Sequence, residues 1–458
     1  MSTRILILSI LGNIMAYSLA CAQQPNVEDI GTEFEQSRQL LDQLTESYGR
    51  LDRRLLETLD HLSQQLIENQ RFGEAHEVLN QAIQNIRIND GLYAQAQYPY
   101  LIRKIENLAN VRDWKKANNS MRHLAWLLNR NENIINQDLI QTILQLTDIH
   151  LWGVAEDHVR LQAYHLRSAV RLNEVALRLA TNAWGRNDRR LPPIMYKQVL
   201  QIYLQSLAVD VGGHTSLTLR TYSDSGVARS RTDVIIEQYY SGLRLLHEMR
   251  RLYREQDPLD IEAVALTDMY IADWQVLFSK AEDAAVAYRR SVDELLLAGI
   301  DQNSINLFFQ NPVMLPVFDF PGSWSEANMG VVAVPESDSS AEQETRLSFK
   351  QWSINFPFVG APVKLGLAHV QASDPGDYAM FSFNLSGLEE VAHWYQGRYK
   401  KSISAAQDLV WLDRAFSNPI DPLALEDKIK SMRFRPKLVN GEAQSVSATL
   451  LYQFASAP

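Results

Sequence analysis

Set against itself at an offset of 42 residues, the chain repeats a helical hairpin. Leu59, Leu66, Phe72, Ala75 and Leu79 fall on Leu101, Leu108, Trp114, Ala117 and Met121. Each set holds an apolar helix A, an aromatic residue near the turn ("NQRFGEA", "NVRDWKKA"), an alanine where two helices would cross closely, and a second apolar helix B. One hairpin cannot bury both sides of its apolar faces. Such units must therefore stack on their neighbours, leaving a groove lined by helix A.

Further along, the register drifts. The same offset predicts an aromatic residue at 156, where Glu156 stands. Leu139, Ile143 and Leu146 supply a third helix A, and the helical pattern then runs on to a break at Gly185 and Pro192-Pro193. A later hairpin, "MYIADWQVLFSKAEDAAVAYRRSVDEL", carries Ala284, Tyr288 and Ser291 at the small, aromatic, small spacing of the repeat. Together these stretches resemble the tetratricopeptide repeat in a variant with lengthened helices. The resemblance implies a repeat domain over 33–300 and a superhelix whose groove takes protein or peptide partners. Residues 211–233, rich in Gly, Ser and Thr and without helical period, are expected to protrude as a loop. The stretch "RINDGLYAQAQ" (87–97) resembles a linker found in exported repeat proteins of Gram-negative bacteria.

With Leu59 and Leu101 facing inward, the residues five further along each helix A form a column on the groove side: Gln64, Glu106 and Asp148. Their acceptor oxygens would suit an extended partner bearing Lys or Arg. The competing expectation is a solvated polar face.

The N-terminus bears on compartment. "MSTRILILSILGNIMAYSLACAQQ" has Arg4, an apolar run over 5–20 and a small-x-small site at Ala20-Cys21-Ala22, the pattern of an export signal over 1–22. The run is shorter than the roughly 20 residues of a spanning helix. Periplasmic export is expected, and "SLAC" resembles a lipobox, which makes lipidation at Cys21 and an outer-membrane lipoprotein the alternative. Membrane attachment is expected only through that anchor. Cys21 is the one cysteine, so no disulfide framework can form and stability must come from the core. The formal charge of −10 is spread along the chain, which speaks against a nucleic-acid partner.

After residue 300 the composition shifts. "FFQNPVMLPVFDFPGSW" and "ANMGVVAVPESDSSAEQET" suggest a linker and irregular region over 301–345. Alternation then places Phe381, Phe383 and Leu385 on one strand face and Val446, Ala448, Leu450, Tyr452 and Phe454 on another. Between them a short helix from about Pro422 is ended by Pro436, and Asn440-Gly441 is a hairpin signal that could equally be the loop into the last strand. Strand, strand, helix ending in M-R-F-x-P, N-G turn and final strand resemble the TonB C-terminal domain, matched at Met432, Phe434, Pro436 and Gly441. This implies a small α+β domain over 346–458. Energy transduction is disfavoured, because the chain has no long Pro-rich spacer or uncleaved anchor.

Catalytic signatures are missing: there is no H-E-x-x-H, G-x-S-x-G, Walker loop or dinucleotide fingerprint, and no metal or cofactor is expected. His158 and His165 are about 10 Å apart along a helix, too far to share a metal. The expected fold is mainly α, a tetratricopeptide-like helical-hairpin superhelix followed by a small α+β domain. The expected function is a non-enzymatic envelope scaffold that binds proteins or peptides. The alternative is an envelope enzyme or enzyme subunit with its site in 211–233 or 301–377, which a pocket with converging ionisable groups there would favour.

Overall fold

The computed structural model describes residues 27–131, 135–210, 231–328, 345–353, 356–360, 377–395, 398–416 and 421–454. The expected export signal with Cys21, nearly all of the 211–233 loop, and residues 329–344 lie outside them. The chain divides into two compact units, residues 1–131 and 132–458.

In the first unit, α1 (Val27–Tyr48) leads through a 3-10 turn at Arg53–Leu55 into α2 (Leu56–Glu68) and α3 (Phe72–Asn89). A second 3-10 turn at Gln95–Gln97 leads into α4 (Tyr98–Asn110) and α5 (Trp114–Arg130). Helices α2 and α3 form one hairpin and α4 and α5 the next, as the 42-residue offset predicts. Their turns are alike in detail. Gln70 and Arg112 both sit at φ 58°, which lets the Arg71 amide reach the Leu66 carbonyl at 2.8 Å and the Asp113 amide reach the Leu108 carbonyl at 2.9 Å. Five residues on, Ala75 and Ala117 are fully buried, their short side chains admitting helix B close to helix A. Even the ties between hairpins repeat: Asn89 donates to the Leu51 carbonyl (2.7 Å) and Asn131 to the Tyr93 carbonyl (2.9 Å).

The second unit opens with α6 (Gln137–Glu156), α7 (Val159–Trp184), α8 (Leu191–Asp210), α9 (Arg231–Arg254), α10 (Ile261–Leu277) and α11 (Ala281–Leu297). Each of these packs on the next in chain order. The α10–α11 turn restores the pattern, with Ser279 at φ 58°, the Lys280 amide 2.8 Å from the Gln275 carbonyl, and Ala284 and Ser291 fully buried. The α6–α7 turn does not, which explains the lost register at Glu156. Asp157 there is extended, and its carboxylate accepts the His158 amide at 2.6 Å.

Residues 301–328 are not the linker expected from composition. They form α12 (Gln302–Phe308), β1 (Val313–Leu315) and α13 (Trp324–Asn328), and they bury Ile305, Phe309, Leu315 and Trp324. The remaining elements are β2 (Thr345–Ser353), β3 (Phe356–Gly360), β4 (Tyr378–Leu385), β5 (Glu390–Tyr395), β6 (Arg398–Ile403), β7 (Ala406–Ala415), α14 (Pro422–Lys430), β8 (Arg433–Arg435), β9 (Lys437–Val439), β10 (Glu442–Gln444) and β11 (Val446–Gln453). Five strands make a mixed sheet in the order β3-β2-β11-β4-β7, with β11 parallel to β2 and antiparallel to β4. Its buried face carries Phe381, Phe383, Leu385, Ala448, Leu450 and Tyr452, the alternation legible in the sequence. Asn440 and Gly441, both at positive φ, close a two-residue hairpin between β9 and β10 rather than merely leading into the last strand.

Strand β8 departs furthest from expectation. It leaves the five-stranded sheet and pairs antiparallel with β1, Met314 opposite Phe434. That pairing packs on α10, whose residues 263–276 are buried all round. No boundary between compact units falls near 301 or 346 for this reason: the apolar side chains of the supposed linker cover the last helix A.

Candidate functional site

A cleft of about 820 Å³ opens in the second unit. Pro193, Tyr196, Lys197, Leu200 and Leu204 line it at spacings of three and four along α8, which puts them on one face. Helix α6 contributes Asp148 and Leu151, α10 contributes Met269 and Tyr270, and the facing wall is the chain segment 313–321 with α13. The segment is strapped down by two phenols. Tyr196 donates its hydroxyl to the Val317 carbonyl at 2.7 Å and Tyr270 to the Asp319 carbonyl at 3.1 Å. Phe320 closes against both rings, at centroid distances of 5.0 and 5.1 Å, and the two tyrosines lie 4.7 Å apart. Burial pushes the Tyr196 phenol well above its ordinary value, so it remains a neutral hydrogen-bond donor.

Beneath the strap lies a buried ion pair. Arg435 of β8 forks onto Asp273 of α10, Nε to Oδ1 at 3.0 Å and Nη2 to Oδ2 at 2.5 Å, and Tyr288 of α11 donates to the same carboxylate at 2.7 Å. Both charged side chains are 6% exposed. The bidentate geometry and the phenol satisfy a carboxylate that would otherwise be stranded in the core.

Four charged side chains of the cleft wall meet partners in their own chain. Lys197 reaches Asp148 at 2.6 Å, Glu326 accepts the Gly322 amide at 2.8 Å, and Arg435 faces Asp273. Burial raises the Asp148 carboxyl above its ordinary range, and the Lys197 ammonium opposes that rise. Among the described residues no group of three or more His, Cys, Asp or Glu is placed to hold a metal ion.

Of the column expected along helix A, Asp148 alone lines this cleft. Gln64 is exposed on α2 and donates to Glu68 at 3.0 Å, and Glu106 is half-buried on α4. Both belong to the first unit, whereas Asp148 belongs to the second, where Lys197 already offsets its charge. Met432 and Phe434 are fully buried, Pro436 is buried, and Gly441 occupies its turn at φ 82°, each in a structural position.

Sequence reasoning passed over Arg435, Asp273, Tyr196 and Lys197. A signal existed for the first two: an acid inside the apolar run "MYIADWQVL", and an arginine between the anchor Phe434 and Pro436. It also passed over a buried chain on the α6–α7 hairpin. There His165 Nε2 lies 2.8 Å from Asp157 Oδ2 and His165 Nδ1 lies 2.9 Å from His150 Nδ1. Burial lowers His150 to about 3, so it stays neutral. Gly153 makes room for the His165 ring, since a Cβ there would sit 2.7 Å from it. Asp157 also holds the hairpin turn, which gives the chain of bonds a structural role.

No protein-family model matches the chain, and no curated protein matches it.

Proposed function

We propose that the protein is an exported, non-enzymatic scaffold of the cell envelope that binds extended segments of protein partners, with the cleft between α6, α8, α10 and the 313–321 strap as one recognition site. The observation that carries this is the character of the cleft wall. Its floor is aliphatic and aromatic, and Lys197 and Arg435 are paired with Asp148 and Asp273 within the chain, which suits the grip of an apolar side chain better than proton transfer. The recurring turns at Gln70, Arg112 and Ser279 support a tetratricopeptide-like origin for the hairpins. The helix, M-R-F-x-P exit and N-G hairpin support a TonB C-terminal-like origin for the last segment. Export rests on the N-terminal sequence, with lipidation at Cys21 as the alternative, and neither nucleic acid nor a cofactor is assigned.

Peptides selected by display against the mature chain test it. Ala327→Trp, on the short helix α13, would obstruct the cleft and should weaken such peptides by about tenfold or more, some 1.4 kcal/mol, with the thermal midpoint unchanged. Equal binding to both proteins would place recognition elsewhere and overturn the proposal. Asp148→Asn should shift the preference among the selected peptides at charged positions.

A further inference from the structure

The first unit carries a ridge that the cleft reading does not use. It consists of the connections between hairpins and the ends of α3 and α5, and its parts touch. Asn85 and Asn89, near the end of α3, donate to the carbonyls of Asp52 and Leu51, and Arg53 pairs with Asp90 at 3.0 Å. One repeat on, Asn131 holds the Tyr93 carbonyl and the fully buried Gln97 holds the Leu92 carbonyl at 3.0 Å. The backbone of "NDGLY" is thereby fixed from inside while its side chains project. Leu92 is 63% exposed, Ile88 59%, Trp126 49% and Tyr93 43%, and Tyr48 and Leu51 stand out in the preceding connection.

Arginine accompanies these apolar groups throughout. Spans 48–54, 87–97 and 122–130 hold six arginines and no lysine, against two aspartates, on a chain whose formal charge is −10. The guanidinium of Arg130 lies over the Tyr93 ring at 4.0 Å and near Trp126 at 5.9 Å, and Arg54 covers Tyr48 at 3.4 Å. Tyr93 and Trp126 are themselves 5.6 Å apart.

We infer that this ridge seats the protein on an anionic phospholipid surface. Tryptophan and tyrosine favour the headgroup boundary, leucine and isoleucine gain from shallow insertion, and arginine reaches phosphate while its stem stays among apolar groups. A projecting row of loop tips suits a flat, deformable partner. The local excess of positive charge on an acidic chain supplies the attraction. The ridge uses none of the cleft residues, so it can fail while the peptide-binding proposal stands.

Vesicle flotation tests it, with a chain beginning at Gln23 so that no lipid on Cys21 contributes. The protein should float with vesicles containing phosphatidylglycerol, remain below with pure phosphatidylcholine, and release as salt is raised. Leu92→Ser with Trp126→Gln, and separately Arg50→Gln with Arg122→Gln, change exposed side chains and should each lower partitioning by about tenfold. Unchanged circular dichroism melts would exclude misfolding as the cause. Absence of flotation at low salt, or flotation of both variants equal to that of the parent, would overturn the inference. So would capture by immobilised polyglutamate without any binding to vesicles, which would assign the ridge to an acidic protein partner.

Discussion

At the scale of single residues, the Arg435–Asp273 pair decides the most. Removing one partner of a buried pair leaves the other charge unsatisfied, at a cost of about 3–5 kcal/mol, whereas replacing both with apolar groups can be close to neutral. Arg435→Leu should therefore lower stability by that amount in urea unfolding, and Arg435→Leu with Asp273→Leu should recover part of it. A single variant as stable as the parent would show that the pair is solvated. A second cluster gives a dependence on pH. Asp268, fully buried, faces Arg250 at 2.7 Å and also Arg290, while Glu294 lies 2.6 Å from Arg250. Burial and the Asp268 carboxylate push Glu294 up to about 7. Between about 4.5 and 7 the fold holds a proton that the unfolded chain has released, so this group contributes stability that is lost as pH rises through that window. Glu294→Gln keeps the neutral form at every pH. Its advantage over the parent should be larger at pH 7.5 than at pH 5, and an advantage that does not change with pH would contradict the assignment.

At the scale of elements, the hairpins show what a sequence discloses and what it withholds. The offset located α2 to α5 because turn geometry and crossing distance fix residue types locally: an alanine where backbones meet, an aromatic residue at the entry to helix B. It could not locate the α6–α7 turn, where an extended Asp157 holds the His158 amide and the His158 ring caps α7 in place of the left-handed residue. Nor could it show what covers α10, since a helix that is apolar all round does not name the segment lying against it. "VMLPVFDF" looked like a linker because its period matches neither helix nor long strand, although three residues in β1 were enough to dock it. The column of Gln64, Glu106 and Asp148 followed from spacing alone, and spacing carried no information about Lys197. The left-handed turns yield a test. Gln70 holds φ 58° without being glycine, a conformation that costs an L-residue about 1–2 kcal/mol. Gln70→Gly should raise the urea midpoint, with a gain in stability of up to about 1 kcal/mol once the added freedom of the unfolded chain is counted. A lower midpoint would mean that the glutamine side chain contributes more than the strain removes.

At the scale of the whole molecule, the C-terminal elements complete the second unit instead of hanging from it. A chain ended at residue 300 would lose α13 and β8, which pack on α10, and β1, which pairs with β8, together with the arginine that answers Asp273. Such a fragment should bind a hydrophobic dye and lose the cooperative melt of its second unit, whereas a linker-joined pair of independent domains would leave that melt intact. Calorimetry of the two chains distinguishes these outcomes. The same closure sets an order in time. Asp273 and Arg435 are separated by 162 residues, and at a synthesis rate of roughly 5–20 residues per second the carboxylate waits on the order of ten seconds for its counter-charge to be made. During that interval α10 leaves the ribosome without its cover, so a growing chain must either be held by a chaperone or keep this helix unsettled until nearly the last strand has been translated.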